Sequence, residues 1–463
     1  MPTARPLPRT SKVMNLLVLA LALTGCVESD AESAAAPSSL QMLERRALTE
    51  DVVEHSAHAE RAAAPSSLQG FERRALAGDV VEYSAVVPVG PGPADRIRIH
   101  RVVRERAPFR PRATRAAVMM LHGDFSTFDS NFVLSSLPEA ESPGPSLAVH
   151  LASNDIDVWG FDRRWALLPA DSTDFSSLQD QGFVSAIGDT EKALALARAI
   201  RVAGGDSARR LALLGFSSGA VLAYAYAGHE TERPAGLRHV RALVPLDAYY
   251  RIGPDHEAAR QAACARAQAD QEYLDAGYVE SDNSLFPTLA QLSRDVPEDP
   301  SPILDGATNR GALLFLLTQT HQLFDVTPWY HLGAGEFDNG WATDLRYSPL
   351  ERMTDWFLQA APFQAMREVA DYDAIWCGEG PLPVPDRLAD ITVPVYAVAA
   401  AGGFGELARY TTTQLGSDDV TFSLVRGLPV GEEIGDYGHG DLLFAEDAPE
   451  LVWDPLASWL LDH

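Results

Sequence analysis

The run Arg210-Leu211-Ala212-Leu213-Leu214-Gly215-Phe216-Ser217-Ser218-Gly219-Ala220-Val221-Leu222-Ala223-Tyr224-Ala225-Tyr226 decides how the rest of the chain is read. An apolar stretch of buried-strand type meets Gly-x-Ser-x-Gly and then a stretch of helical type. In that setting the motif marks a sharp strand-to-helix turn, a nucleophile elbow with the serine at its tip. Gly215 and Gly219 answer a steric demand, because such a turn brings backbones too close for side chains. Ser217 would then stand at the carboxyl edge of a sheet, below the amino end of a helix. There the helix dipole and its free N–H groups favour negative charge.

Outward from the elbow, strand and helix signals alternate. Val80–Val87 and Arg96–Val102 read as strands joined across the Gly/Pro-containing stretch Pro88–Asp95, and the Arg/Ile alternation of the second predicts a half-exposed edge hairpin. Ala116–Leu121 is a short apolar run that ends in His122-Gly123-Asp124-Phe125, and Ile156–Arg163 reads as a strand and loop. Gln181–Val202 has helical apolar spacing. After the elbow, Val240–Leu246 is a further apolar strand with Asp247 at its carboxyl end. This alternation predicts a mostly parallel α/β sheet. It then lapses for about 140 residues, in which Asp255–Gly277, Ala312–Gln322 and Leu350–Val369 read as helices. Strand patterns resume at Ile391–Val398 and Val420–Val425, and a last helix is expected over Glu450–Leu461.

The pattern resembles the α/β-hydrolase superfamily, in its lidded lipase/esterase-like branch, over roughly residues 79–463 outside the long helical stretch. Four landmarks carry the resemblance in order: His122-Gly123 after an early strand, the elbow, an acid after a late strand, and a histidine before the last helix. Tyr437-Gly438-His439-Gly440-Asp441-Leu442-Leu443-Phe444 is similar to the catalytic-histidine loop of lidded lipases and bacterial esterases, and Asp157-Val158-Trp159-Gly160 to a strand of acid lipases. The resemblance implies a core of residues 79–248 and 390–463, with a mainly helical cap, residues 249–389, inserted between the sixth and seventh strands of the family sheet.

It also implies roles. Ser217 is the candidate nucleophile and His439 the base that takes its proton. A carboxylate then holds the imidazole in the right tautomer. Most members carry that acid after the seventh strand, yet Ala399-Ala400-Ala401-Gly402-Gly403-Phe404-Gly405 offers none, and Glu406 is the first available. Asp247, after the sixth strand, is the other choice. The oxyanion hole is expected to use the backbone N–H of Ser218 and a second N–H from Asp124 or Phe125. His122 is expected to support the oxyanion loop, and His321 and His331 to be cap residues with no catalytic task.

Residues 1–26 read as an export leader: Arg5, Arg9 and Lys12 precede the apolar run Val13–Ala22, which is shorter than the about 20 residues that span a bilayer. Leu23-Thr24-Gly25-Cys26 resembles the bacterial lipoprotein cleavage box, which makes Cys26 the expected lipid-bearing residue. Val27 rather than Asp follows it, as in outer-membrane sorting in Gram-negative hosts. Residues 27–78 read as a tether with a duplicated segment: Ala34–Gln41 recurs as Ala62–Gln69, and Glu44–Leu48 as Glu72–Leu76, at an offset of 28 residues. The second copy runs into the folded part and is expected to be the structural one. In an exported protein Cys264 and Cys377, one near each end of the cap, are expected to pair. No cysteine or histidine cluster has metal-ligand spacing.

A formal charge of -27 over 463 residues argues against nucleic acid as a partner, because phosphate binding needs basic patches. Together these features predict a serine hydrolase of carboxylic esters, lipid-anchored in the bacterial envelope, with a small ester substrate of lipid-like character and no metal or organic cofactor. An acyltransferase or amidase with the same triad is the alternative, or an inactive envelope-binding lipoprotein of this fold.

Overall fold

The computed structural model describes residues 70–134, 145–322 and 327–463. The leader, Cys26 and the first copy of the repeat lie outside the described residues. The described chain opens with an antiparallel meander of β1 (Glu72–Ala77), β2 (Val80–Pro88) and β3 (Arg96–Ala107), on which the short β4 (Arg110–Pro111) folds back. It then alternates: β5 (Ala116–Leu121), α1 (Leu147–Ser153), β6 (Ile156–Asp162), α2 (Phe183–Ala203), β7 (Leu211–Phe216), α3 (Ser218–Glu230) and β8 (Val240–Leu246). Every residue of β5, β6 and β7 is buried. Near-continuous apolar runs are what parallel strands need when helices cover both faces.

An insertion follows β8. It contains α4 (Glu257–Asp275), β9 (Glu280–Asp282), α5 (Leu285–Asp295), α6 (Asn309–Thr318), β10 (Gly335–Asp338), β11 (Trp341–Leu345), α7 (Leu350–Leu358), β12 (Phe363–Ala365) and α8 (Met366–Cys377). The chain then returns to the sheet through β13 (Val395–Ala400), α9 (Leu407–Thr412) and β14 (Val420–Val425), and ends in α10 (Asp441–Phe444) and α11 (Asp454–Asp462). The sheet order is β1-β2-β3-β6-β5-β7-β8-β13-β14. β3 pairs antiparallel with β6, and from β6 to β14 all neighbours are parallel. The elbow strand β7 sits near the middle, and Ser217, Asp247 and the loop after β5 leave the same edge.

Several expected boundaries move. The fold does not begin near Asp79, because β1 already belongs to the sheet. β1 reads Glu-Arg-Arg-Ala-Leu-Ala and has no apolar signature. Cross-strand pairing and ion pairs hold it: Arg73 meets Glu105, and Arg74 lies 2.9 Å from Asp129 and bonds Glu82 at 2.8 Å. From Glu72 onward the second repeat copy forms the β1–β2 hairpin at the edge of the sheet, while β3, expected in an edge hairpin, lies inside it between β2 and β6. The Arg/Ile alternation of β3 holds only over its first residues. From His100 to Val103 both faces are buried, with Arg101 donating to Asp157 at 2.8 and 2.9 Å beneath the sheet. The Asp157 landmark is therefore spent on a buried ion pair.

The expected helix over Leu350–Val369 is broken in two. Pro362 has no N–H to donate and disfavours helical geometry in the residue before it. The chain instead forms β12, which pairs with β9, before α8 starts. The last helix begins with a π turn over Pro449–Trp453 and is regular only from Asp454.

Cys264 and Cys377 form a disulfide that joins α4 to α8, with Cα atoms 4.5 Å apart and a sequence separation of 113. Loop closure on this scale is worth about 4–5 kcal/mol in the chain-entropy account. Replacing both cysteines with serine should lower the unfolding free energy by about 3–4 kcal/mol, read from a denaturant titration under oxidising conditions.

Candidate active site

At the end of β7 the backbone turns through Ser217 with φ 57° and ψ -129°, a conformation that costs a non-glycine residue about 1–3 kcal/mol. It is held from both sides. The Ser217 N–H donates to the Leu246 carbonyl at 3.0 Å. A Cβ at Gly215 would lie 2.2 Å from the Gly219 carbonyl oxygen, and one at Gly219 would lie 2.2 Å from that of Leu121. The two motif glycines are thus fixed by backbone-to-backbone approach.

His439 comes from the loop between β14 and α10, and its ring stacks on Phe216, the residue before Ser217, with centroids 4.5 Å apart. Its Nδ1 lies 2.6 Å from Oδ2 of Asp247. That contact assigns the Nδ1 proton and leaves Nε2 free to take one. Asp247 is wholly buried, with φ 41°. Its carboxylate also accepts the N–H groups of Ala400 at 3.0 Å and Phe404 at 3.2 Å. Of the two acids left open by the sequence, only Asp247 meets His439. Glu406 is instead half-exposed and pairs with Arg409 at 2.5 Å. In the loop after β13, position 403 has no room for an acid: a Cβ at Gly403 would fall 2.0 Å from Oδ2 of Asp247. The carboxylate from β8 fills that space.

The loop after β5 packs directly on the serine, since a Cβ at Gly123 would be 3.0 Å from that of Ser217. Its three N–H groups have different fates. Gly123 donates to Asn131 at 2.8 Å, and Phe125 donates to Oε1 of Gln364 at 3.1 Å. The N–H of Asp124 has no partner among the described residues, and neither does that of Ser218, the first residue of α3. Phe125, one of the two expected second donors, is therefore already engaged, which leaves Asp124.

His122 is buried and supports this loop as expected. Its Nδ1 donates to the Gly123 carbonyl at 2.9 Å and its Nε2 accepts the Arg163 N–H at 3.1 Å. Burial, and then the Arg163 charge, lower its pKa to about 3 and keep it neutral. His331, expected to be a cap residue with no catalytic task, holds the histidine loop. Its carbonyl accepts the His439 N–H at 2.9 Å, and its ring Nε2 faces the Asp436 carbonyl at 2.8 Å. Tyr330 and Phe404 lie with ring centroids 5.5 and 5.4 Å from His439, and Tyr249 and Trp376 continue the aromatic cluster. Gln364, His331 and Tyr330 had no motif to mark them. The only sequence signal near Gln364 is the helix-breaking Pro362.

One further support is titratable. His100 on β3 stacks under Phe128 at 4.7 Å, between Glu82 (2.6 Å) and Asp162 (3.2 Å), and Asp162 accepts the Phe128 N–H at 2.7 Å. Burial alone would lower the His100 pKa, but Asp162 and then Glu82 outweigh it and lift it to about 10. A folded pKa above the unfolded value of about 6.5 stabilises fully below pH 6.5, and the contribution is lost as pH rises toward 10. The unfolding midpoint should thus fall between pH 6.5 and 10, and less steeply in His100→Gln.

No protein-family model matches the chain, and no curated protein matches it in sequence. Solved structures do. A putative lipase from Sulfolobus solfataricus aligns with a TM-score of 0.56 at 17% identity, over 85% of this chain and 99% of its own. A soluble variant of monoglyceride lipase from Saccharomyces cerevisiae aligns with a TM-score of 0.44 at 12% identity, over 88% and 98%. With the strand order and the elbow described above, the first of these shows that the chain has the α/β-hydrolase fold.

Proposed function

We propose that this chain is a serine hydrolase that cleaves carboxylic esters through an acyl-enzyme. The observation that carries this reading is the 2.6 Å contact of His439 with the buried Asp247, the same imidazole stacking beside the strained Ser217 elbow. Ser217 Oγ attacks the ester carbonyl carbon while Nε2 of His439 takes the hydroxyl proton. The negative oxygen of the tetrahedral intermediate is met by the N–H groups of Ser218 and Asp124. Collapse breaks the carbon–alkoxide bond, and His439 returns the proton to the departing alcohol. Water, deprotonated by the same nitrogen, then releases the acid and restores the serine.

The rings of Tyr249, Tyr330, Trp376 and Phe404 support an ester with an apolar, lipid-like acyl group. Two clefts of about 580 and 540 Å³ lie elsewhere, lined by neither Ser217 nor His439. We further propose export and lipid attachment at Cys26 to the bacterial envelope. The leader supports this, as does a disulfide suited to an oxidising compartment. Loss of radiolabelled palmitate from Cys26→Ser would test it.

The central test exposes residues 27–463 to a fluorophosphonate probe, then to ester series of rising chain length. Labelling of Ser217 and turnover of esters are expected. A folded sample that stays unlabelled with detergent or lipid interfaces present would overturn the reading in favour of a binding protein. Added alcohol or amine nucleophiles, and amide substrates, would separate hydrolysis from acyl transfer and amidase activity.

A further inference from the structure

We infer that Gln364, contributed by the insertion, is a positioning residue of the oxyanion site. Its single amide engages the carboxylate of Asp124 and the N–H of Phe125, and so turns the Asp124 N–H toward Ser217. This rests on Ser217 being the nucleophile, as proposed above.

Gln364 is wholly buried, and it lies 240 residues from Asp124 in sequence. Its Nε2 donates to Asp124 Oδ1 at 2.8 Å, while its Oε1 accepts the Phe125 N–H at 3.1 Å. The orientation of the amide is fixed by these partners. A flipped amide would set NH₂ against N–H and oxygen against carboxylate. The backbone of the same segment closes the other side, where the Ala361 N–H donates to the Phe125 carbonyl at 2.7 Å. Phe125 is thereby held at both its polar groups in a conformation with φ 48°. A bulky residue persists there only when its surroundings over-determine it.

The loop's hydrogen bonds leave one donor. The Gly123 N–H is used by Asn131 and that of Phe125 by Gln364, so of the two expected second donors, Asp124 and Phe125, it is Asp124 that can pair with Ser218. A second anchor from the same segment holds the loop's other end. Glu368, four residues on, pairs with the Arg163 guanidinium, and Arg163 donates to the His122 carbonyl and through its own N–H to His122 Nε2. Gln364 itself sits in the β12–β9 pairing, opposite Ser281, so the amide stands on an ordered strand.

The test compares wild type, Gln364→Ala and Gln364→Glu on one ester and on its thiono counterpart, in which C=S replaces C=O. Sulfur is a weak hydrogen-bond acceptor, so thiono hydrolysis depends less on the oxyanion donors. For Gln364→Ala, kcat on the oxygen ester should fall about 10–100-fold with KM within about threefold, and the preference for oxygen over sulfur should shrink by a similar factor. In Gln364→Glu the ionised carboxylate would face that of Asp124, whereas the neutral acid offers the same donor and acceptor as the amide. Its activity relative to wild type should therefore recover as pH falls. Amide exchange at Phe125 should quicken in Gln364→Ala. If that variant fails to fold, the nearly isosteric glutamate variant carries the same comparison. An unchanged oxygen-over-sulfur preference in folded Gln364→Ala, or in Gln364→Glu that shows no change in that preference across the pH range, beside an active wild type labelled at Ser217, would overturn the role of Gln364 alone. A wild type with neither turnover nor labelling would remove the hydrolase reading and this role with it.

Discussion

Ser217→Ala should lower kcat on a preferred ester by about 10⁶-fold, with little change in KM and complete loss of fluorophosphonate labelling. The size follows from how a triad works. Once the nucleophile is gone, His439 and Asp247 have no hydroxyl to activate, and only oxyanion stabilisation and binding remain. Removing the serine of such a unit costs about as much as removing all three members. The residual rate of about 10³ over water would come from the N–H groups of Ser218 and Asp124, which the substitution leaves untouched. The fold should tolerate the change, because Ser217 is only half-buried and its φ is imposed by Gly215, Gly219 and the Leu246 carbonyl. A variant that retains more than a hundredth of wild-type turnover would show that the serine is not the nucleophile.

Asp247→Asn should lower kcat by about 10⁴-fold, whereas Glu406→Gln should stay within about twofold of wild type. The asparagine can keep its carbonyl oxygen toward the Ala400 and Phe404 N–H groups, as Asp247 Oδ1 is placed now. Its NH₂ then faces Nδ1 of His439. That nitrogen must accept, the ring proton moves to Nε2, and the base is lost although the geometry is kept. Glu406, paired with Arg409 on the surface, has no such hold on the imidazole. Rates for the two variants, with unfolding midpoints measured alongside, check the assignment. Equal rates would sink it.

The core of the fold was legible because both-face burial leaves unbroken apolar runs: β5, β7 and β8 could be read directly from Ala116–Leu121, Leu211–Phe216 and Val240–Leu246. Ser217 and His439 were legible for a different reason. Each sits at a turn whose neighbours are constrained by close backbone approach, and those constraints leave a motif. β1 escaped notice since its stability comes from pairing and from arginines that meet acids on other strands, none of which alters local periodicity. The acid stayed open between two candidates, as a sequence cannot say which loop a carboxylate fills. That Gly403 lies where Asp247 needs room becomes evident only in three dimensions. The insertion's contributions were least visible. Gln364, Glu368 and His331 act through contacts with residues about 100–240 positions away.

The hydrogen bonds of the insertion bear on how far this chain can be rebuilt. Ala361 and Gln364 hold the loop after β5, and His331 holds the histidine loop. The loop after β5 and the histidine loop are thus both tied to the segment between β8 and β13. Joining residue 248 directly to residue 390 would release both of these loops rather than leave a smaller intact core. Nor could that segment be exchanged for one from another hydrolase to retune chain-length preference, unless the donor supplied these same contacts. Length and surface sequence there are free to drift, but the segment is not an interchangeable module.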